Sequence, residues 1–211
     1  MIMTTLDSIL NDAAKGGEKK SLGEIGTFTR GNGLQKKDFC AVGLDCIHYG
    51  QIYTHYDTYA TETISKVSPE LYKKLRKAKR GDLIIATTSE NEQDVCKAVA
   101  WLGEEPVAIS GDAYIFSHSE NPKYISYLFQ SEAFYKQKKK VITGTKVLRV
   151  SGESMAKFTF VFPSLDIQEK VVSILDKMAE LQAELQAELL KRQKQYKYYL
   201  NKLFEQPISH V

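Results

Sequence analysis

From Asp166 to Phe204 the chain contains neither proline nor glycine, and Glu, Lys, Leu, Gln and Ala dominate the run. These residues favour helix, and nothing in the stretch can break one. Apolar residues fall at Ile167, Val171, Ile174, Met178, Leu181 and Leu185, in alternating steps of four and three. That is the heptad spacing of helices that wrap round one another with knobs in holes. The repeat shifts after Leu185 and resumes at Leu189, Tyr196, Leu200 and Leu203, a four-residue stutter. At 1.5 Å per residue such a helix would be about 58 Å long, more than one globular domain covers. Its apolar stripe therefore needs a partner, the competing arrangement being a shorter helix folded back on its own domain. Val171, Ile174, Met178, Leu181, Leu185, Leu189, Tyr196 and Leu200 form the candidate dimer interface.

The preceding region, Ser21 to Phe162, has a different grain. Short apolar, β-rich runs recur at Ile25–Phe28, Ala41–Leu44, Asp82–Ala86, Ala113–Phe116 and Lys157–Phe162. In the last, Phe158, Phe160 and Phe162 alternate, the period of a strand with one buried face. Ser68-Pro69-Glu70-Leu71 opens a helix with a serine cap, proline in the first turn and an acid near the positive helix end. Leu71, Leu75 and Ala78 are expected on its inner face, and Gly81 at its end. A second helix is expected from about Pro122, capped by Asn121, through Phe134 to the lysine cluster. Strands and helices in no strict alternation predict an α+β, or irregular α/β, domain followed by one long C-terminal coiled-coil helix. The expected division is 1–20 as an N-terminal helical segment (Leu6, Ile9, Leu10, Ala13), 21–162 as the domain, and 163–211 as the long helix.

Several kinds of chemistry are not supported. Cys40, Cys46 and Cys96 show no Cys-x-x-Cys spacing, and Cys40, Cys46, His48 and His55 match no common metal-ligand pattern. Asn121-Pro122-Lys123-Tyr124 resembles the Asn-Pro-Pro-Tyr/Phe motif of DNA adenine methyltransferases, but lysine replaces the second proline. No glycine-rich turn seats S-adenosylmethionine, and no phosphate-binding Gly-x-x-x-x-Gly-Lys-Ser/Thr loop is present. Asp82, Glu90, Glu92, Asp94 and Asp112 lack the lysine partner of a nuclease site, and Ser151-Gly152-Glu153-Ser154 is no nucleophile elbow. The expectation is a non-catalytic chain without a cofactor or metal of its own. No apolar run approaches the roughly 18 residues of a membrane span. The first residues lack a signal-peptide layout, so a cytoplasmic location is expected.

The formal net charge is only +3, and its distribution says more than its sum. Lys66 to Arg80 carries seven basic residues against Glu70, and Gln130 to Val150 carries six against Glu132. Dense positive segments in a nearly neutral chain suit local neutralisation of phosphates, although solvated helix faces have the same composition.

At the junction the residues carry a family likeness. Phe162-Pro163-Ser164-Leu165-Asp166-Ile167-Gln168-Glu169-Lys170-Val171 resembles the Pro-x-Leu-x-x-Gln-x-x-Ile opening of the conserved helix in type I restriction specificity subunits. Arg192-Gln193-Lys194-Gln195-Tyr196-Lys197-Tyr198-Tyr199 is similar to that helix's ending. Leu22-Gly23-Glu24-Ile25-Gly26, Gly81-Asp82-Leu83-Ile84-Ile85 and Gly144-Thr145 match other landmarks in the right order. Ile47 to Thr54 resembles one subgroup of recognition domains. Full-length family members hold two recognition domains and two long helices, whereas this chain has one of each. The resemblance therefore implies a homodimer with antiparallel helices, reading a two-part inverted site on double-stranded DNA. It also implies two partners: a methyltransferase subunit using S-adenosylmethionine, and a restriction (translocase) subunit using ATP and Mg. A DNA-binding adaptor or a coiled-coil scaffold outside restriction is the alternative that the residues leave open.

Base reading needs side chains that form paired hydrogen bonds with base edges, and phosphate contacts position them. The glycine-flexed loop with Arg30, Asn32, Gln35, Lys36 and Lys37 supplies such groups. The His48, Tyr49 and Gln51 turn and the Thr87, Thr88 and Ser89 loop are further candidates. Lys138, Lys139, Lys140, Thr143, Thr145 and Lys146 are assigned to phosphates.

Overall fold

The computed structural model describes residues 16–205. The expected helix around Leu6 to Ala13 lies outside them. The chain divides into two units, one up to Glu169 and one from Lys170 onward.

The first unit is built on a mixed five-stranded sheet. Its strands are β2 (Gly26–Arg30), β5 (Tyr59–Ala60), β8 (Leu83–Ala86), β10 (Lys97–Trp101) and β12 (Ala113–His118). They lie in the order β2-β12-β8-β10-β5, antiparallel except for β10 with β5. The middle strand, β8, is buried at every position, and its side chains sort by parity between two cores, as a period of two requires. Leu83 and Ile85 join Phe116, Ile125, Phe134, Met155 and Phe160 on one face. Ile84 and Ala86 join Ile52, Val99, Trp101, Ile109 and Ile115 on the other. A strand packed on both faces reads as a continuous apolar run, which is why Leu83-Ile84-Ile85-Ala86 has no polar alternate.

The first face is covered by helices α4 (Pro122–Phe129), α5 (Glu132–Lys138) and α6 (Gly152–Ala156), and by β14 (Thr159–Phe162). The second carries helix α2 (Tyr49–Thr54) and another five-stranded sheet. That sheet runs β3 (Phe39–Cys40), β6 (Ser65–Val67), β4 (Leu44–Ile47), β11 (Val107–Ile109) and β7 (Lys77–Ala78), with only β4 and β11 parallel. Helix α3 (Pro69–Lys74) contributes Leu71, Tyr72 and its cap Leu75 to a third, smaller core with Leu34, Cys46 and Val67.

Several expectations are corrected here. The first helix after Ser68 stops at Lys74 rather than Gly81. The Asn32 amide accepts from Arg76 N (2.7 Å) and donates to Lys74 O (3.0 Å), and the chain turns into β7. Gly81 instead takes φ +93 in the turn before β8. The second helix is broken into α4 and α5 at Ser131, whose hydroxyl accepts from Phe134 N and donates to Leu128 O. Asn121 does cap α4, accepting from Tyr124 N at 3.1 Å. Ala41–Gly43 is a bend rather than a strand. Residues 18–20, assigned to an N-terminal segment, form β1 (Glu18–Ser21), paired with β14 in the domain. The phenylalanine alternation stands: Phe158, Phe160 and Phe162 are all buried, with Thr159 and Val161 exposed between them.

Helix α7 runs unbroken from Leu165 to Phe204, 40 residues. Its first turn belongs to the domain unit, so the division falls inside the helix rather than at Pro163. Gln168 is the reason. It is fully buried, accepts from Asn121 N at 3.0 Å, and donates to Pro163 O at 2.9 Å and to the Glu120 carboxylate. From Lys177 to Glu205 every residue is exposed.

Candidate nucleic-acid interface

The sequence-expected loops are drawn together by the segment Ser110–Asp112, which joins the last residue of β11 to β12. Ser110 Oγ accepts from Tyr49 N at 2.8 Å, and Ser110 N donates to Ile47 O, fixing the entry to α2. Gly111 O accepts from Arg30 Nε at 2.8 Å. The Asp112 backbone carbonyl accepts from Thr87 N, and its carboxylate faces Thr88 Oγ1 (3.5 Å) and Arg30 Nη2 (3.6 Å). The crossing of the two loops is so close that a Cβ on Gly31 would sit 2.1 Å from Ser110 O. Glycine is required there by contact, not by dihedral.

Around this hub, His48 caps α2 through Nδ1, which accepts from Gly50 N at 3.2 Å. Burial first, and then the nearby Lys36 ammonium, hold the imidazole pKa below its ordinary 6.5. It is therefore neutral near pH 7, which the acceptor role demands. Thr88 and Ser89 form β9, paired with β13 (Leu148–Arg149). Tyr53 on α2 donates to both Ala86 O and Thr88 O, tying the helix to that ribbon. Beyond β13 the backbone of Thr143 exchanges hydrogen bonds with Arg149. Gly144 then takes φ +95, where a Cβ would meet Val147 O at 2.1 Å. This turn leaves Thr145 and Lys146 exposed at its tip.

Exposed side chains are thus carried by Arg30 at the end of β2, by Gln35, Lys36 and Lys37 in the segment that follows it, by Thr143, Thr145 and Lys146 at the turn, and by Arg149 on β13. Tyr49 and Ser89 are half-buried beside them. Hydrogen-bonding groups on rigidly held loops, with an excess of positive charge, can make base and phosphate contacts.

Other expected site residues have structural employment. Gln51 is buried, accepting from His48 N and donating to Ser65 Oγ at 2.6 Å. Thr87 and Thr88 are also buried. Asn32 spends its amide on the end of α3. Lys138, assigned to phosphate, is 4% exposed, and its ammonium donates to Gln93 O (3.0 Å) and Val95 O (2.9 Å). Burial lowers its pKa. It bounds a cleft with Cys96, Gln130 and Tyr135. Lys139 and Lys140 remain exposed, Lys139 lying 3.8 Å from Glu92. Ser110, Asp112, Tyr53 and Arg149 were missed as site residues. Asp112 and Arg149 were visible only as an acid and as one charge in a basic tract, and no local pattern marks Ser110 or Tyr53.

Cys46 and Cys96 are buried, with thiol pKa values pushed up to about 12 by desolvation, which makes both inert at neutral pH. Among the described residues no cluster of three or more His, Cys, Asp or Glu side chains could hold a metal ion. No helix among them is long and apolar enough to cross a membrane.

A mixed-sheet domain that carries loops at one end and continues into a solitary long helix defines a class. Solved structures share it. One chain from a type I R-M system, described for its complex assembly and conformational transition, superposes with a TM-score of 0.65 at 14% identity, covering 88% of this chain and 44% of its own. The HsdS subunit of Thermoanaerobacter tengcongensis gives 0.58 at 14% identity, over 87% and 45%. The type I S subunit of M. genitalium gives 0.52 at 12% identity, over 90% and 47%. Residues 15–192 match the type I restriction modification DNA specificity domain, and the chain belongs to that family. A putative type I specificity subunit of Mycoplasma pneumoniae is 41% identical over 51 residues, 24% of this chain and 14% of that protein. The chain spans less than half the length of each of these relatives.

Proposed function

We propose that this chain is a non-catalytic, cytoplasmic DNA-specificity subunit that reads DNA through the sheet domain described above. Two copies pair antiparallel through α7 and read a two-part, inverted DNA site. A methyltransferase subunit supplied with S-adenosylmethionine, and a restriction (translocase) subunit supplied with ATP and Mg, are the partners it directs. The observation that carries this reading is the gathering of Arg30 and Tyr49, and of the ribbon with Ser89 and Arg149, round Ser110–Asp112 in a domain of the specificity family. The exposed seam of α7 supports the pairing: Met178, Leu181, Leu185, Leu189, Tyr196 and Leu200 are each at least 40% exposed, while Val171 and Ile174 are half-buried. An exposed apolar stripe of this kind suits a partner helix.

The test is methyl transfer to duplex DNA by the methyltransferase subunit with and without this chain. Transfer at a defined motif only when both are present is expected. Transfer by this chain alone, or no dependence on it, would refute the reading.

A further inference from the structure

The basic tract Lys66 to Arg80 is left unassigned by the site just described; Lys73, Lys74 and Lys79 are exposed, and other members are held in different ways. Lys66 is paired with Asp45 at 3.1 Å, and Arg80 with Glu104 at 2.6 Å. Lys77 folds back, donating to Leu75 O and lying over the Tyr72 ring. Arg76 differs from these. Its backbone N–H is held by Asn32, its carbonyl accepts from Ile109 N, and its Nη1 donates to Arg30 O at 2.5 Å. The side chain is exposed, and among the described residues no carboxylate is paired with it.

Arg76 is therefore tied at three points to the same loop crossing that holds Arg30. Arg30 bonds across to Gly111 O, and Arg76 bonds to Arg30 O. An arginine held by a backbone carbonyl through one nitrogen keeps its other donors free and pre-oriented. Asp112, at the crossing, faces Arg30, and no carboxylate among the described residues forms an ion pair with Arg76. A fixed, unneutralised guanidinium beside that loop suits a phosphate oxygen, whose negative charge it can meet in a charge-assisted hydrogen bond.

We infer that Arg76 contacts a DNA backbone phosphate and extends the interface from the Arg30–Lys37 loop onto the end of α3. This rests on the DNA-binding reading above. Asn32 is then a positioning residue, fixing the Arg76 backbone rather than touching DNA.

The test uses the full chain and a random-sequence duplex, with affinity measured over a range of salt. Arg76→Gln is expected to shallow the slope of log K against log salt by about 0.9, the share of one phosphate. Arg76→Lys, which keeps the charge, is expected to hold the original slope. Arg80→Gln, at a side chain already paired with Glu104, is expected to leave it unchanged. An unaltered slope in Arg76→Gln, with salt-dependent binding intact in the parent, overturns the inference alone. A slope that Arg76→Lys fails to restore also overturns it, by making the role structural. Absence of salt-dependent binding in the parent chain removes the DNA-binding reading, and the inference with it.

Discussion

Lys138 shows how far one side chain can depart from its composition. It sits in a run of lysines, yet its ammonium is inserted among the carbonyls of Gln93 and Val95, where Cys96 takes a positive φ of 70. A non-glycine residue in the left-handed region is costly and persists only where its surroundings fix it. Lys138 supplies that fixing by satisfying two acceptors at the bend. Replacing it with methionine keeps the aliphatic stem and strands both carbonyls. The folded state should lose roughly 2 kcal/mol, measured by urea denaturation. Lys139→Met, at an exposed pair with Glu92, should cost less than about 0.5 kcal/mol. Equal, small losses at the two positions would return Lys138 to the surface. In the sequence Lys138 and Lys139 are indistinguishable, because burial of an ammonium depends on a turn more than forty residues away. Gln51 is similar: its residue type suits base reading, and only the fold commits it to His48 and Ser65.

Elements with long periodic signals were legible, and those held by long-range pairing were not. Helix α7 is 40 residues long with an apolar spacing interrupted by a single stutter, and the Phe158, Phe160, Phe162 alternation declares one buried face. The expected caps Ser68 and Asn121 both accept from backbone N–H groups as serine and asparagine should. By contrast β3, β5, β7, β9 and β13 are two residues each, too short for any period to show. Their partners lie in distant segments, as β7 does with β11. The end of α3 at Lys74 was hidden for the same reason, since Asn32 that receives it is 42 positions away. On α7 the exposed seam makes its own prediction. Met178→Lys or Leu185→Glu places a charge where a partner helix would pack. Sedimentation should then report a monomer where the parent chain self-associates. An unchanged dimer would move the interface elsewhere.

For the whole molecule, length and symmetry are the issue. Solved relatives are matched over 44–47% of their own chains, and this chain carries one sheet domain and one long helix. On the proposed reading two copies pair through α7, and a two-fold axis makes the halves of the DNA site identical in inverted order. No sequence code names the bases that the proposed contacts would read, so the symmetry of the target is the prediction available. It is tested most directly by methylation-resolved sequencing of DNA from cells expressing this chain with its methyltransferase subunit. The expected result is a chain-dependent motif of two half-sites that form an inverted repeat about a fixed, unread spacer. Two unlike halves would contradict the homodimer, and no chain-dependent motif at all would contradict the specificity role.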